Sequence, residues 1–335
     1  MSQFPVKNIY PLGFPWQTQD PFLFCVYHRD LFPAGNDQLG PDSEELKGRM
    51  IGQDFTIKDG WRMYHGQRVP GFPQHPHRGF ETITVVPEGL VDHSDSMGAT
   101  GRFGHGDVQW MTAGKGVLHS EMFPLVNAEK DNPLLLFQIW LNLPRKSKFV
   151  EPHYKMLWAE DIPVHKTEDA EITLIAGDFF ETKSLDTTPD SWAADPENGV
   201  AVWLIKIQEN GELTLPTADK EVNRSIYFYK GGTIRIGNEE ISDQQGADLA
   251  PDHSIVLKNG GKEAHLLLLQ GKPIGEPVVQ QGPFVMNTQE EIHETIREYQ
   301  RTQFGGWPWP KDEFVHPRDK GRFALHADGK EEVKG

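Results

Sequence analysis

Two short dyads hold the residues in this sequence best suited to chemistry. His75 and His77 are separated by one residue, and so are His119 and Glu121. Side chains alternate between the faces of a strand, so each dyad would point both its members the same way. Imidazole nitrogen and carboxylate oxygen together suit a divalent first-row transition metal. Three neutral ligands and one anion leave a site of about +1 net charge that can still bind an anion. An oxygen cage for calcium would need more carboxylates and carbonyls. A metal that takes six ligands would keep two positions open for water, substrate or dioxygen. Iron, nickel, copper, cobalt, zinc and manganese all accept such a donor set, and affinity order alone does not choose among them.

In a chain with 14 histidines some close pairs arise by chance, so the elements around the dyads matter. The first dyad precedes a strand pattern, Glu81-Thr-Ile-Thr-Val-Val86, then a Pro87-Glu88-Gly89 turn and a second strand. The second dyad follows Gly114-Lys115-Gly116, again where a turn meets a strand. This spacing predicts a small antiparallel barrel whose inward faces bring the dyads together. If the strand runs on from His75, then His77, Gly79, Glu81, Ile83 and Val85 share its face, which places Glu81 on the ligand side as well.

His75-Pro-His-Arg-Gly-Phe-Glu-Thr82, Gly106-Asp-Val-Gln-Trp-Met-Thr-Ala-Gly114 and His119-Ser-Glu121 resemble the signature of the pirin family, a branch of the cupin superfamily. Gly271-Lys-Pro-Ile-Gly-Glu-Pro-Val-Val279 and Gly282-Pro-Phe-Val-Met-Asn-Thr288 resemble that family's C-terminal segments, so the likeness covers most of residues 20–305. It implies an all-β bicupin, two tandem cupin-type antiparallel β-barrels with a short C-terminal helix. The wider cupin pattern would take Glu81 as the carboxylate ligand, whereas the pirin-like pattern matches Glu121. On the latter, His75, His77, His119 and Glu121 hold one metal ion per chain, commonly iron, with Glu81 close by.

Two functions follow from the resemblance. One is a dioxygenase of the quercetin 2,3-dioxygenase kind, in which a flavonol-like hydroxyl takes an open position and Glu121 accepts its proton. The other is a non-catalytic regulator, similar to transcriptional coregulators, whose metal oxidation state tunes binding to a protein partner.

Composition narrows the remaining classes. The balance of 33 basic against 49 acidic residues gives a net charge of -16, which disfavours direct nucleic-acid binding and anionic membranes. The one loose basic cluster, Pro144-Arg-Lys-Ser-Lys148, reads as a solvated turn. A single cysteine, Cys25, precludes an intramolecular disulfide and sits in an apolar run as a buried, inert thiol. With no signal-like N-terminus and no apolar run of membrane length, a cytoplasmic location is expected.

The rest of the chain divides into 1–165, a metal-bearing N-terminal barrel; 166–288, a C-terminal barrel without metal ligands; and 289–335, a helix and tail. Leu31–Lys58 is a long surface excursion with a short helix at Asp42–Leu46, and it flanks the site mouth. His93 and His105 read as solvated or satisfied histidines, and Leu134–Leu143 as a strand buried on both faces. In the second half His253 and His265 stand alone, and no histidine falls in 216–232. Thr288-Gln-Glu-Glu291 has capping-box spacing, with Ile292, Ile296 and Tyr299 on one face of the helix that follows. Trp307 and Trp309 read as intramolecular anchors, and the polar end from Lys330 as disordered.

Overall fold

In the computed structural model, which describes residues 5–335, strands dominate and the one α-helix, Gln289–Thr302, lies near the C-terminus. The chain separates into two compact units that are not contiguous in sequence. One comprises 27–138, 145–159 and 276–335; the other comprises the described residues up to 26, 139–144 and 160–275.

The unit with the two dyads is built from two antiparallel sheets. One runs Glu331–Val333, Phe323–Leu325, Thr100–Gly104, Leu90–Asp95, Val117–Met122, Gly71–His77. The other orders His153–Leu157, Val108–Thr112 and Phe80–Glu88, followed by the parts of Asn132–Asn142 and Phe22–Phe32 that belong to this unit. Val86, Val91, Phe103, Leu134, Leu136 and Met156 come from both sheets and bury into one core. Aromatic and branched side chains fit this pleated, two-sided packing, and they supply most of the hydrophobic stabilisation. Both sheets have free edges in the strand pairing, so they face each other as open layers rather than as a closed barrel.

In the second unit a seven-stranded sheet, from Val6–Pro11 at one edge to Val164–Lys166 at the other, packs on a four-stranded sheet through one apolar core. Val6–Pro11, the edge strand, pairs with Gln245–Leu249. His253 contacts Asp252, and His265 contacts Glu263. Cys25 is fully buried, and burial pushes its thiol well above the ordinary range.

The helix starts as its sequence predicts. Thr288 accepts from the Glu291 amide while Glu291 reaches back to the Thr288 amide, closing the capping box. Its Ile292, Ile296 and Tyr299 pack on the Val279–Gln281 and Phe284–Met286 hairpin. Three local expectations fail. Residues 43–48 are turns, not a helix. The end of the chain is ordered, because Glu331–Val333 pairs with Phe323–Leu325. Lys148 is not solvated but buried, its ammonium donating to the carbonyls of Gly79 and Val285 at 2.8 and 3.2 Å.

Candidate metal centre

The two dyads occupy neighbouring strands of one sheet. In the register His75 faces His119 and Phe72 faces Glu121, with a bulge between Phe72 and His75. That bulge inserts residues in one strand and so re-aims the side chains that follow it. Gly71 has φ +131°, and a Cβ there would stand 2.5 Å from the Glu121 carbonyl oxygen, so only glycine allows the two strands to approach.

Three imidazoles converge. His75 Nε2 lies 3.1 Å from His77 Nε2 and 3.0 Å from His119 Nε2. The three residues form the one group of metal-competent side chains found among the described residues. His75 Nδ1 is 2.8 Å from the Pro73 carbonyl, which can only accept, so the neutral ring carries its proton on Nδ1 and a lone pair on Nε2. Such a back-side hydrogen bond is how metal-ligating histidines are commonly oriented. Burial lowers the pKa of His75 to about 4 and those of His77 and His119 well below the ordinary imidazole value. All three are therefore neutral near pH 7.

The donor set passes a distance test. Nitrogens ~2.1 Å from one ion and at right angles to each other stand ~3.0 Å apart, whereas tetrahedral angles would separate them by ~3.4 Å. The observed 3.0 and 3.1 Å edges fit His75 at right angles to both His77 and His119 about a six-coordinate ion. The same edges suit an N–H···N hydrogen bond to the His75 lone pair when His77 or His119 carries its proton on Nε2, and a metal ion would displace those protons to Nδ1.

Glu121 stands just outside that group, its Oε2 3.8 Å from His119 Nε2. Thr84 Oγ1 donates to Oε1 at 2.8 Å, and the Gln138 amide donates to Oε2. Burial raises the Glu121 pKa above the usual carboxylate range, opposed by nearby His93 and by these two donors. Thr84 and Gln138 lie on other strands and carry no local motif, so nothing but their places in apolar runs marks them.

Glu81 is placed elsewhere. The chain turns at Gly79, φ +85°, and passes from one sheet to the other, so the face shared by His75 and His77 does not continue to Glu81. Its carboxylate accepts from Thr112 Oγ1 at 2.6 Å and Trp110 Nε1 at 3.2 Å. His93 is buried, 3.2 Å from Asp95 and stacked on Tyr154, while His105 is exposed. Trp309 Nε1 donates to the Asp95 carbonyl, an anchor within this unit.

The turn after His77 is braced from the C-terminal segment. Arg78 bonds the Lys115 carbonyl at 2.6 Å and Glu298 of the helix at 2.8 Å, and its guanidinium lies over the Phe304 ring. Arg78 also exchanges backbone hydrogen bonds with Pro283 and Val285. Residues more than 200 positions apart thereby fix the direction in which His77 points.

Two sandwich-like units, one with a histidine triad opposite a glutamate, define a two-domain protein of the cupin type. The chain belongs to the pirin family: residues 16–141 match the family's Pirin model and residues 202–305 its Pirin C-terminal cupin domain. Human pirin is 34% identical over 254 residues, covering 72% of this chain and 80% of that protein. Pirin-1 of Arabidopsis thaliana is 36% identical over 256 residues, covering 70% and 78%. Among solved structures, a quercetin 2,3-dioxygenase from Acinetobacter baumannii superimposes with a TM-score of 0.70 at 28% identity, over 90% of this chain and 96% of that one. No helix among the described residues is long and apolar enough to cross a membrane.

Proposed function

We propose that this chain is a mononuclear-metal dioxygenase acting on planar, enolisable aromatic substrates of the flavonol kind, with His75, His77, His119 and Glu121 as metal ligands and iron as the first metal to test. The convergence of three Nε2 nitrogens at 3.0 and 3.1 Å, beside a buried carboxylate, carries the reading. Likeness to a quercetin 2,3-dioxygenase supports the choice of substrate class.

Bound at the triad, a divalent metal would act as a Lewis acid on a substrate hydroxyl and supply electron chemistry with dioxygen. The protein's share is to keep the ligands neutral and aimed, and to handle the proton. Burial holds the imidazoles unprotonated, so they offer lone pairs without competition from protons at neutral pH. Glu121, made more basic than an exposed carboxylate by burial, accepts the proton of the substrate hydroxyl. Thr84 and Gln138 hold one carboxylate oxygen each, which limits how that group can turn.

Metal dependence maps to residues 1–165 in this reading, and 166–288 and 289–335 support it. The test begins with elemental analysis of protein purified without added metal, followed by dioxygen uptake with quercetin. His75→Ala with His77→Ala should abolish stoichiometric metal and uptake together, whereas His253→Gln with His265→Gln should leave both unchanged. Metal retained in the first pair, or lost in the second, would show that the ion lies elsewhere. Metal retained by the unaltered protein without quercetin-dependent uptake would reject the dioxygenase.

A further inference from the structure

The triad opens to solvent on one side. His77 and His119 are buried, and only His75 is partly exposed. The groups around His75 therefore border the way in. Phe72 lies 6.3 Å from it, ring to ring, and His65 lies 5.9 Å from Phe72. Phe55 lies 4.9 Å from His65 and 6.4 Å from Phe72.

Phe55 belongs to the surface excursion before the first dyad, and that excursion is built rigidly. Asp54 and Tyr64 exchange two backbone hydrogen bonds of 2.9 Å. Buried Arg49 bonds Asp54 at 3.0 Å, the Trp61 carbonyl at 3.0 Å and the Lys58 carbonyl at 2.7 Å, and its guanidinium sits 3.3 Å from the centre of the Trp61 ring. His65 in turn donates its amide to the Gly71 carbonyl at 3.1 Å, which ties it to the start of the strand that carries His75. A loop held this firmly nevertheless leaves Phe55 39% exposed. Exposed aromatic surface at a site mouth is a feature of ligand-binding walls.

The His65 ring is oriented too. Its Nδ1 is 2.8 Å from the Gly52 carbonyl, an obligate acceptor, so in the neutral ring Nδ1 is the donor and Nε2 carries an exposed lone pair. We propose that Phe55 and His65 form the substrate-binding wall of the metal centre and select planar phenolic ligands: the ligand ring packs on Phe55, and a ring hydroxyl donates to His65 Nε2 while a second oxygen faces the triad. This rests on the aromatic-substrate reading above and adds two residues to it. An aliphatic carboxylate, by contrast, would gain nothing from an aromatic face and an acceptor nitrogen.

The test uses the full chain loaded with zinc, which binds ligand without redox turnover, titrated with quercetin and followed by the ligand's visible absorbance. Phe55→Leu and His65→Phe should each raise the dissociation constant about three- to tenfold, the range of one aromatic contact or one hydrogen bond. Zinc content and circular dichroism should stay as in the unaltered protein, and Met50→Ser on the same loop should bind quercetin unchanged. Phe55 is exposed, so its replacement tests the wall even if His65→Phe loosens the loop at Gly52. If both variants bind quercetin as tightly as the unaltered protein while His119→Ala loses binding, the wall is wrong and the metal-site reading stands. If the unaltered zinc protein binds no quercetin, wall and substrate class fall together.

Discussion

Replacing Gln138 by Leu removes the amide that donates to Glu121 Oε2 and leaves the Thr84 hydroxyl on Oε1. The side-chain volume barely changes, so the effect should be electrostatic. A hydrogen bond to a charged group contributes about 1.5–3 kcal/mol. Gln138 is only partly buried, so water can replace part of that contribution and the lower end applies. A loss of ~1.4 kcal/mol from the ionised form alone raises the Glu121 pKa by about one unit. Burial has already raised it, so the variant carboxylate would protonate at a still higher pH and yield its place on the metal sooner. At fixed free zinc, the pH at which half the metal is released should therefore move up by about one unit. A chromogenic chelator read across a pH series, with circular dichroism to confirm folding, measures this directly. An unmoved midpoint in a folded variant would refute the idea that the Gln138 amide holds Glu121 ready as a ligand.

Glu121→Gln keeps an oxygen ligand but removes the proton acceptor, so quercetin turnover should fall a hundredfold or more while metal content falls much less; preserved turnover would assign the base to another group. His28 is buried against Tyr64, and burial first, then Arg62, lowers its pKa to about 3. The unfolded chain therefore takes up this proton below about pH 6.5 and the folded chain does not, so stability falls with acid across the window from about 6.5 to about 3. Between pH 7 and 5 this group should account for about 2 kcal/mol, and urea unfolding of His28→Asn should show a shallower pH dependence than the parent protein; equal slopes would refute it. Thr288→Ala opens the capping box and should cost about 1 kcal/mol of stability, detectable as a lower melting temperature without loss of metal.

The strand pairs and the convergence of the dyads were legible because period-two spacing acts over a few residues. His75 and His77, or His119 and Glu121, declare a shared face locally, and the turns at Gly89 and Gly114–Gly116 bound the strands. The error at Glu81 came from the same rule carried too far, past a glycine that turns the chain into the other sheet. Residues that serve the site from a distance left no such trace. Gln138 and Thr84 reach Glu121 from other strands, Lys148 caps the Gly79 carbonyl from a segment that read as solvated, and Glu298 holds Arg78 across 220 positions. Each depends on tertiary placement, which no window of sequence encodes. His65 is illegible for a different reason: a lone histidine in a polar loop has no pattern, and only its ring neighbours Phe55 and Phe72 give it meaning.

Burial links the stability of this unit to its chemistry. Enclosing three imidazoles with their Nε2 atoms 3.0 and 3.1 Å apart is unfavourable in the tautomers that present all three lone pairs, because neutral nitrogens then repel and protonation, which could relieve them, is opposed by the surrounding core. A divalent cation removes both penalties at once, since it attracts all three lone pairs and needs no proton. The free energy it releases by binding adds to folding by mass action, about 2.7 kcal/mol at a hundredfold excess over its dissociation constant. The braces on the turn after His77 keep the rings from relaxing apart when no ion is bound, as Arg78 is fixed to Lys115 and Glu298 and the Gly79 carbonyl to Lys148. Loosening those braces, by Arg78→Ala for example, should therefore weaken metal binding even though Arg78 is not a ligand, because part of the binding energy would then be spent in gathering the rings.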